Sequence, residues 1–209
     1  MVDICKSFDL YMSTMIETVK SYKAIETRYG GCRFRSRLEA RWAVFFDAVR
    51  IPWEYEPEGF ELDSGRYLPD FFLPRQECWL EIKGRTATDR ELRLAAELAE
   101  ASSLPVYLFE TGFSSSGCFG VPEAQYLCGL FKCPDGTTVE SGDSGYMWCQ
   151  CRACGYLGIE FNGRSNRLPC KRKGCPRDLG HEDKGYNYDA PSIIRAYAAA
   201  KSARFEFGR

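Results

Sequence analysis

Two short runs, Tyr67-Leu68-Pro69-Asp70 and Glu81-Ile82-Lys83, carry residue types that can manage a bound cation. A four-residue turn over Pro74 to Glu77 would pair Leu73 with Cys78, and counting outward from that pair sets Asp70 opposite Glu81. Side chains alternate along a strand, so Glu81 and Lys83 share a face while Ile82 turns inward. Carboxylates facing each other across a ladder have Cβ atoms about 4.5–5.5 Å apart. They repel unless one takes up a proton or a cation relieves the conflict. Lys83 adds positive charge on the same face, and hard oxygen donors favour Mg2+ or Mn2+ over zinc. Glu39 fits the same site from a helix. It sits at the edge of an apolar stripe formed by Leu38, Trp42, Phe45, Phe46 and Val49, and a helix docked by that stripe can aim Glu39 at the strand ends. Singly, each residue has a plainer explanation. Glu39 can be the capping partner of Ser36, Asp70 a turn residue after Pro69, and Glu81 with Lys83 an edge-strand ion pair. Their joint occurrence points to one site.

The elements that must position these groups are legible in outline. Residues 1–29 read as an amphipathic helix ended by Gly30-Gly31. Ser36-Arg37-Leu38-Glu39 has capping-box spacing and opens a strong helix that Ile51-Pro52 ends. Three strand-like runs follow, Trp53 to Leu62, Arg66 to Leu73 and Cys78 to Lys83, with turns at Asp63-Ser64-Gly65 and Pro74 to Glu77. Thr88-Asp89-Arg90-Glu91 is a second capping box, opening an Ala/Leu-rich helix to about Ser102, and Val106 to Glu110 reads as a buried strand. Residues 111–145 read mostly as loop, with a strand near Gln125 to Phe131. Ala190 to Phe207 reads as a final helix. The order of helix, three-strand meander, helix and strand is that of an α/β core with helices packed on a mixed sheet.

A second constellation lies near the C-terminal end. Of 11 cysteines, five fall between Cys149 and Cys175. An odd count with no secretory signal argues against a disulfide framework and for a reducing cytosol and a metal site. Cys151-Arg152-Ala153-Cys154-Gly155 has the spacing of a zinc knuckle, and Cys170 and Cys175 supply two further thiolates. Four thiolates make a closed, structural Zn2+ site. Cys149 can replace one member, and His181, the only histidine, can replace Cys175.

Net charge is −1, so a nucleic-acid partner must be met by local basic clusters. One holds Arg28, Arg33, Arg35, Arg37 and Arg41; the other holds Arg164, Arg167, Lys171, Arg172, Lys173 and Arg177. Each can equally be a solvated basic face. Of these, Arg35, Arg37, Arg41, Arg164, Lys171, Arg172 and Lys173 are the expected phosphate contacts. The longest apolar run, Trp42 to Phe46, is far too short to span a bilayer, so no membrane partner is expected.

Pro69-Asp70, ten intervening residues, then Glu81-Ile82-Lys83-Gly84, with Glu39 on a preceding helix, resembles the PD-(D/E)xK nucleases, whose fold is that of type II restriction endonucleases. The run Arg33 to Trp42 also looks like small nuclease-like proteins of phages and bacterial mobile elements. The resemblance covers roughly residues 31–111. It implies a restriction-endonuclease-like core that hydrolyses phosphodiester bonds in nucleic acid, with DNA the expected substrate, in the bacterial cytosol. Asp70 and Glu81 would hold the catalytic Mg2+ or Mn2+, with the Ile82 carbonyl a further ligand. Glu39 would complete a second metal site or hold a water of the metal's shell, and Lys83 would position and help activate the attacking water. The expected organisation is an N-terminal helical segment (1–30), the nuclease-like core (31–145), a small zinc-ribbon-like module (146–181) and a C-terminal helix packing on the core (182–209). A homodimer is compatible with it. The alternative is a catalytically silent nuclease-fold module that binds DNA or protein, such as a phage or mobile-element factor blocking a host defence complex.

Overall fold

The computed structural model describes residues 24–85, 87–109, 127–132, 138–141, 146–161, 174–175, 186–187 and 190–205. The chain is a mixed α/β protein. Among the described residues it has three helices, one six-stranded sheet and three smaller sheets. None of these helices is long and apolar enough to cross a membrane.

The first described element is a hairpin. β1 (Thr27–Tyr29) pairs antiparallel with β2 (Cys32–Phe34). Thr27 to Tyr29 had been expected to end a helix; Gly30 and Gly31 instead adopt positive φ (56° and 82°), the left-handed backbone a tight hairpin turn requires. The rest of the expected N-terminal helix, residues 1–23, lies outside the described residues. Helix α1 (Arg37–Ala48) then starts where the sequence indicates, with the Ser36 side chain accepting from the Glu39 backbone N–H.

The central sheet runs in the order β10-β9-β8-β7-β6-β3. Its strands are β3 (Glu54–Tyr55), β6 (Phe71–Leu73), β7 (Cys78–Ile82), β8 (Val106–Phe109), β9 (Leu127–Lys132) and β10 (Thr138–Ser141). The first two expected strands are each divided. Positive φ at Glu56, followed by Pro57, ends β3, and Pro69, which has no N–H to donate, separates β5 from β6. The pieces between, β4 (Phe60–Leu62) and β5 (Gly65–Tyr67), form their own hairpin. Leu73 does pair with Cys78 across the expected turn, and Phe71 with Leu80. β8 lies parallel to β7, joined by the crossover helix α2 (Asp89–Ser102). β9 occurs near its expected place, whereas β10 occupies a stretch expected to be loop.

Strand alternation sorts two apolar layers. Cys78, Leu80 and Ile82 point to the face covered by α1, where Phe34, Trp42, Phe45, Phe46, Phe71 and Phe109 make an aromatic core. Trp79, Val106 and Leu108 point to the opposite face, covered by Leu94, Ala95, Leu98 and Ala99 of α2. Glu81 is in phase with Trp79, so the same alternation turns it toward α2. Helix α3 (Pro191–Ser202) packs on α1 through Tyr197, which meets Phe45 at 4.7 Å between ring centroids.

The cysteine-rich segment forms a three-stranded sheet of β12 (Leu157–Phe161), β11 (Tyr146–Cys151) and β13 (Tyr186–Asn187). β13 lies beyond the expected module boundary at residue 181. Alternation again splits a strand in two. Trp148 enters the aromatic core beside Phe45 and Phe46, and Cys149 and Cys151 face the other way. The side-chain amide of Gln76 donates to the Leu157 carbonyl at 3.0 Å, and the Tyr156 hydroxyl donates to that of Arg75 at 3.0 Å. The module is therefore continuous with the core. Trp148→Ala should cost about 3–5 kcal/mol of global stability, as large-to-small changes at filled core sites do. The denaturant midpoint of the variant against wild type measures it.

Candidate functional site

The Pro74–Glu77 turn fixes the register that brings Asp70 to the end of β6, one step beyond the Phe71–Leu80 pair. Asp70 as a residue is 3 % exposed, and Glu81 and Glu39 are 4 % and 6 % exposed. Three nearly buried acids require donors in place of water. Asp70 Oδ2 accepts the Ile82 backbone N–H at 2.7 Å, and Oδ1 accepts from the Arg35 guanidinium at 2.9 Å. Glu81 Oε2 accepts from the Tyr67 hydroxyl at 3.1 Å, and Oε1 pairs with Lys83 Nζ at 2.6 Å. Glu39 Oε2 accepts the Tyr55 hydroxyl at 2.6 Å and the Arg35 backbone N–H at 3.1 Å. The Ser36 side chain caps the helix through the Glu39 backbone N–H, while the Glu39 carboxylate bonds Arg35 and Tyr55 and does not close the expected capping box.

The electrostatics follow from burial. Burial raises the Asp70 pKa well above the usual carboxylate range; Glu81 and Glu39 push it further, against the Ile82 N–H and Arg35. Burial also opposes the charge on Lys83, but Glu81 and Glu91 outweigh it and hold its pKa above the ordinary value. Tyr67 and Tyr55 are raised too, burial first and then their carboxylate partners, so both hydroxyls remain donors. Desolvation and the neighbouring acids together favour the protonated form of Asp70. The three carboxylates are not gathered as a ready-made cage. Among the described residues, only a cysteine group brings three acidic, thiol or imidazole donors within 4.8 Å of one another.

Sequence reasoning missed several participants. Arg35, which is among the expected phosphate contacts, pairs with Asp70 at 2.9 Å and with Glu56 at 2.5 Å. Arg37 and Arg41 lie half-buried on α1. Tyr55 and Tyr67 left no pattern to find, since tyrosines on strands are ordinarily core residues. Glu91 was read only as a helix cap. Arg164, Lys171, Arg172 and Lys173 lie outside the described residues.

The cysteine group is Cys151, Cys154 and Cys175. The Cys151 and Cys175 sulfurs are 3.7 Å apart. Thiolates at about 2.3 Å around a tetrahedral zinc are separated by roughly 3.8 Å, whereas a disulfide brings sulfurs to about 2.05 Å. The knuckle is closed by two backbone bonds of 2.8 Å, Gly155 N–H to the Cys151 carbonyl and Cys151 N–H to the Tyr156 carbonyl. Gly155 has φ +72°, which a residue with a Cβ adopts only at a cost. Three of the four expected thiolates therefore fit a metal such as zinc. Cys170, the fourth, and His181, its alternative, lie outside the described residues. Cys149 is fully buried in the same cluster but is not one of the three whose sulfurs all lie within 4.8 Å of one another.

Comparison with known proteins yields no matching family model, curated protein or solved structure.

Two outcomes are expected. Protein purified without chelator should carry one zinc per chain by elemental analysis, and Cys154→Ser should lose it. For Asp70, the folded pKa lies above the unfolded one, so its contribution is present at low pH and lost as pH rises through the folded value. Metal-free protein should accordingly gain stability as pH falls from neutrality into that range. Asp70→Asn should abolish this gain and raise the neutral-pH melting temperature by roughly 2–4 °C for each kcal/mol of repulsion removed. A melting curve at several pH values, with EDTA, reads both.

Proposed function

We propose that this chain is a metal-dependent endonuclease with a PD-(D/E)xK-type core, hydrolysing phosphodiester bonds in DNA, and that its cysteine module is a structural zinc site. One observation carries the reading. Asp70 is bonded to the strand that bears Glu81 and Lys83, through the Ile82 N–H at 2.7 Å, so an acid, a second acid and a lysine stand together at one strand end. A plain surface ion pair does not need three acids at 6 % exposure or less.

The donor set suits a hard cation in chemistry and charge. Mg2+ commonly takes only one or two carboxylates and completes its shell with waters and substrate phosphate, so a tight triple is not required. Asp70 and Glu81 would hold Mg2+ or Mn2+, and Glu39, tethered by Tyr55, would serve a second ion or an ordered water. When bound, the ion would supply charge neutralisation at the phosphoryl oxygens and a lowered pKa for water. Lys83 would orient the attacking water. Its oxygen bonds to phosphorus as the bond to the leaving sugar oxygen breaks; the water's proton passes to solvent and the leaving oxygen takes one up.

A second reading is favoured by Arg35. Both Asp70 oxygens are already bonded, one by the Ile82 N–H and one by Arg35. A chain that had abandoned catalysis while keeping the fold could hold Asp70 in this way, as a DNA- or protein-binding module of a phage or mobile element. Arg35 is 56 % exposed, so it can also swing away and release Asp70. Plasmid and single-stranded substrates with Mg2+, Mn2+ or EDTA decide between the two. Cleavage that requires the metal and vanishes in Glu81→Ala is the expected result; DNA binding without cleavage under either metal transfers the assignment to the silent module.

A further inference from the structure

Lys83 has a second carboxylate partner that lies outside the motif. Its Nζ is 3.1 Å from Glu91 Oε1 and 2.6 Å from Glu81 Oε1, and its side chain is only 20 % exposed. Glu91 occupies the third position of α2 and completes a capping box. The Thr88 backbone N–H donates to Glu91 Oε2 at 2.8 Å, and the Thr88 hydroxyl accepts from the Glu91 N–H. Arg85 grips the same carboxylate at two points, Nη1 to Oε2 at 2.8 Å and Nη2 to Oε1 at 2.9 Å. A helix cap alone needs none of these cations. A free glutamate would also swing through several rotamers, whereas this one is fixed from three directions.

We infer that Glu91 is a positioning residue: it anchors the Lys83 ammonium against Glu81 and thereby ties the start of α2 to the candidate active site. The inference deepens the proposed nuclease reading and rests on it for its catalytic consequence, but the anchoring itself is a property of the folded chain. A lysine stem has four rotatable bonds, and a single partner at Glu81 leaves the ammonium free to pivot about that oxygen. The second carboxylate removes the pivot. A displacement of about 1 Å in a group that must meet a reacting atom can cost about a hundredfold in rate.

The chemistry of the capping box supplies a clean variant. Glutamine serves at this box position as glutamate does, because its side-chain oxygen still accepts from the cap backbone. Glu91→Gln should therefore keep the helix start while removing the negative charge that faces Lys83 and Arg85. Thr88→Ala weakens the cap and removes the Thr88 hydroxyl bond to Glu91 Oε2 (2.9 Å), but leaves the Glu91 charge facing Lys83, held by Arg85 and the Thr88 backbone N–H. The first readout is hydrogen exchange of the Lys83 ammonium in 15N-lysine spectra of full-length protein. Exchange should be slow in wild type and in Thr88→Ala, and at least about tenfold faster in Glu91→Gln. The second is steady-state cleavage, in which kcat should fall about tenfold or more in Glu91→Gln with KM and the metal-induced melting shift within twofold of wild type. Unchanged ammonium exchange in Glu91→Gln overturns the inference, and so does unchanged kcat in an active enzyme. If wild type cuts nothing while the exchange difference is present, the nuclease reading falls and the anchor stands.

Discussion

A carboxylate withdrawn from water loses several kcal/mol of solvation, and protein donors must replace it or the group takes up a proton. Asp70 is placed in that position by a strand register. The Leu73–Cys78 pair sets where β6 ends, and the end of β6 sets Asp70 against the Ile82 N–H. Arg35 comes from the β2–α1 junction to meet the other oxygen, and the same residue's backbone N–H reaches Glu39. Tyr55 arrives from the edge strand β3 and Tyr67 from the β4–β5 hairpin to meet the remaining acids. Five separate segments thus converge because negative charge was buried at one strand end. Removing any one of them leaves an acid with one donor fewer.

How much of this could be read in advance depended on whether local chemistry or distant packing decided it. The Pro74–Glu77 turn has a fixed length, so the pairing of Leu73 with Cys78 was legible, and with it the neighbourhood of Asp70 and Glu81. Both helix starts were legible because Ser36 and Thr88 make their caps within three residues. The division of two strands was harder. Glu56 at φ 44° and Pro69 each break a run whose apolar pattern is continuous, and which break occurs depends on the β4–β5 hairpin leaving the sheet. At Thr27 to Tyr29 the helical spacing of upstream apolar residues outweighed Gly30-Gly31, although a paired glycine between short runs is itself a hairpin signal. Thr138–Ser141 offers no strong strand pattern; it pairs because β9 presents an edge to it. Tyr55 and Tyr67 were invisible as partners of the acids, and so was the pairing of Arg35 with Asp70, because only the folded chain brings them together.

The cysteine module shows why spacing predicts ligands better than boundaries. A Cys-x-x-Cys-Gly knuckle is a local object, fixed by two backbone bonds and one left-handed glycine, and it is found where its spacing places it. The edge of the module is not local. Trp148 lies on the same strand as Cys149 and Cys151 but belongs to the aromatic core, so a line drawn at residue 146 divides the chain where its packing does not.

The aromatic face of α1 is completed by α3, whose Tyr197 lies against Trp42 and Phe45. Those residues are far apart in the order of synthesis. At ribosomal rates of about 5–20 residues per second, the roughly 140 residues between Ala48 and Pro191 take about 7–30 seconds to emerge. For much of that interval the aromatic face of α1 lacks the cover that Tyr197 gives Trp42 and Phe45 in the folded chain, so its burial is completed only after the last helix has been made.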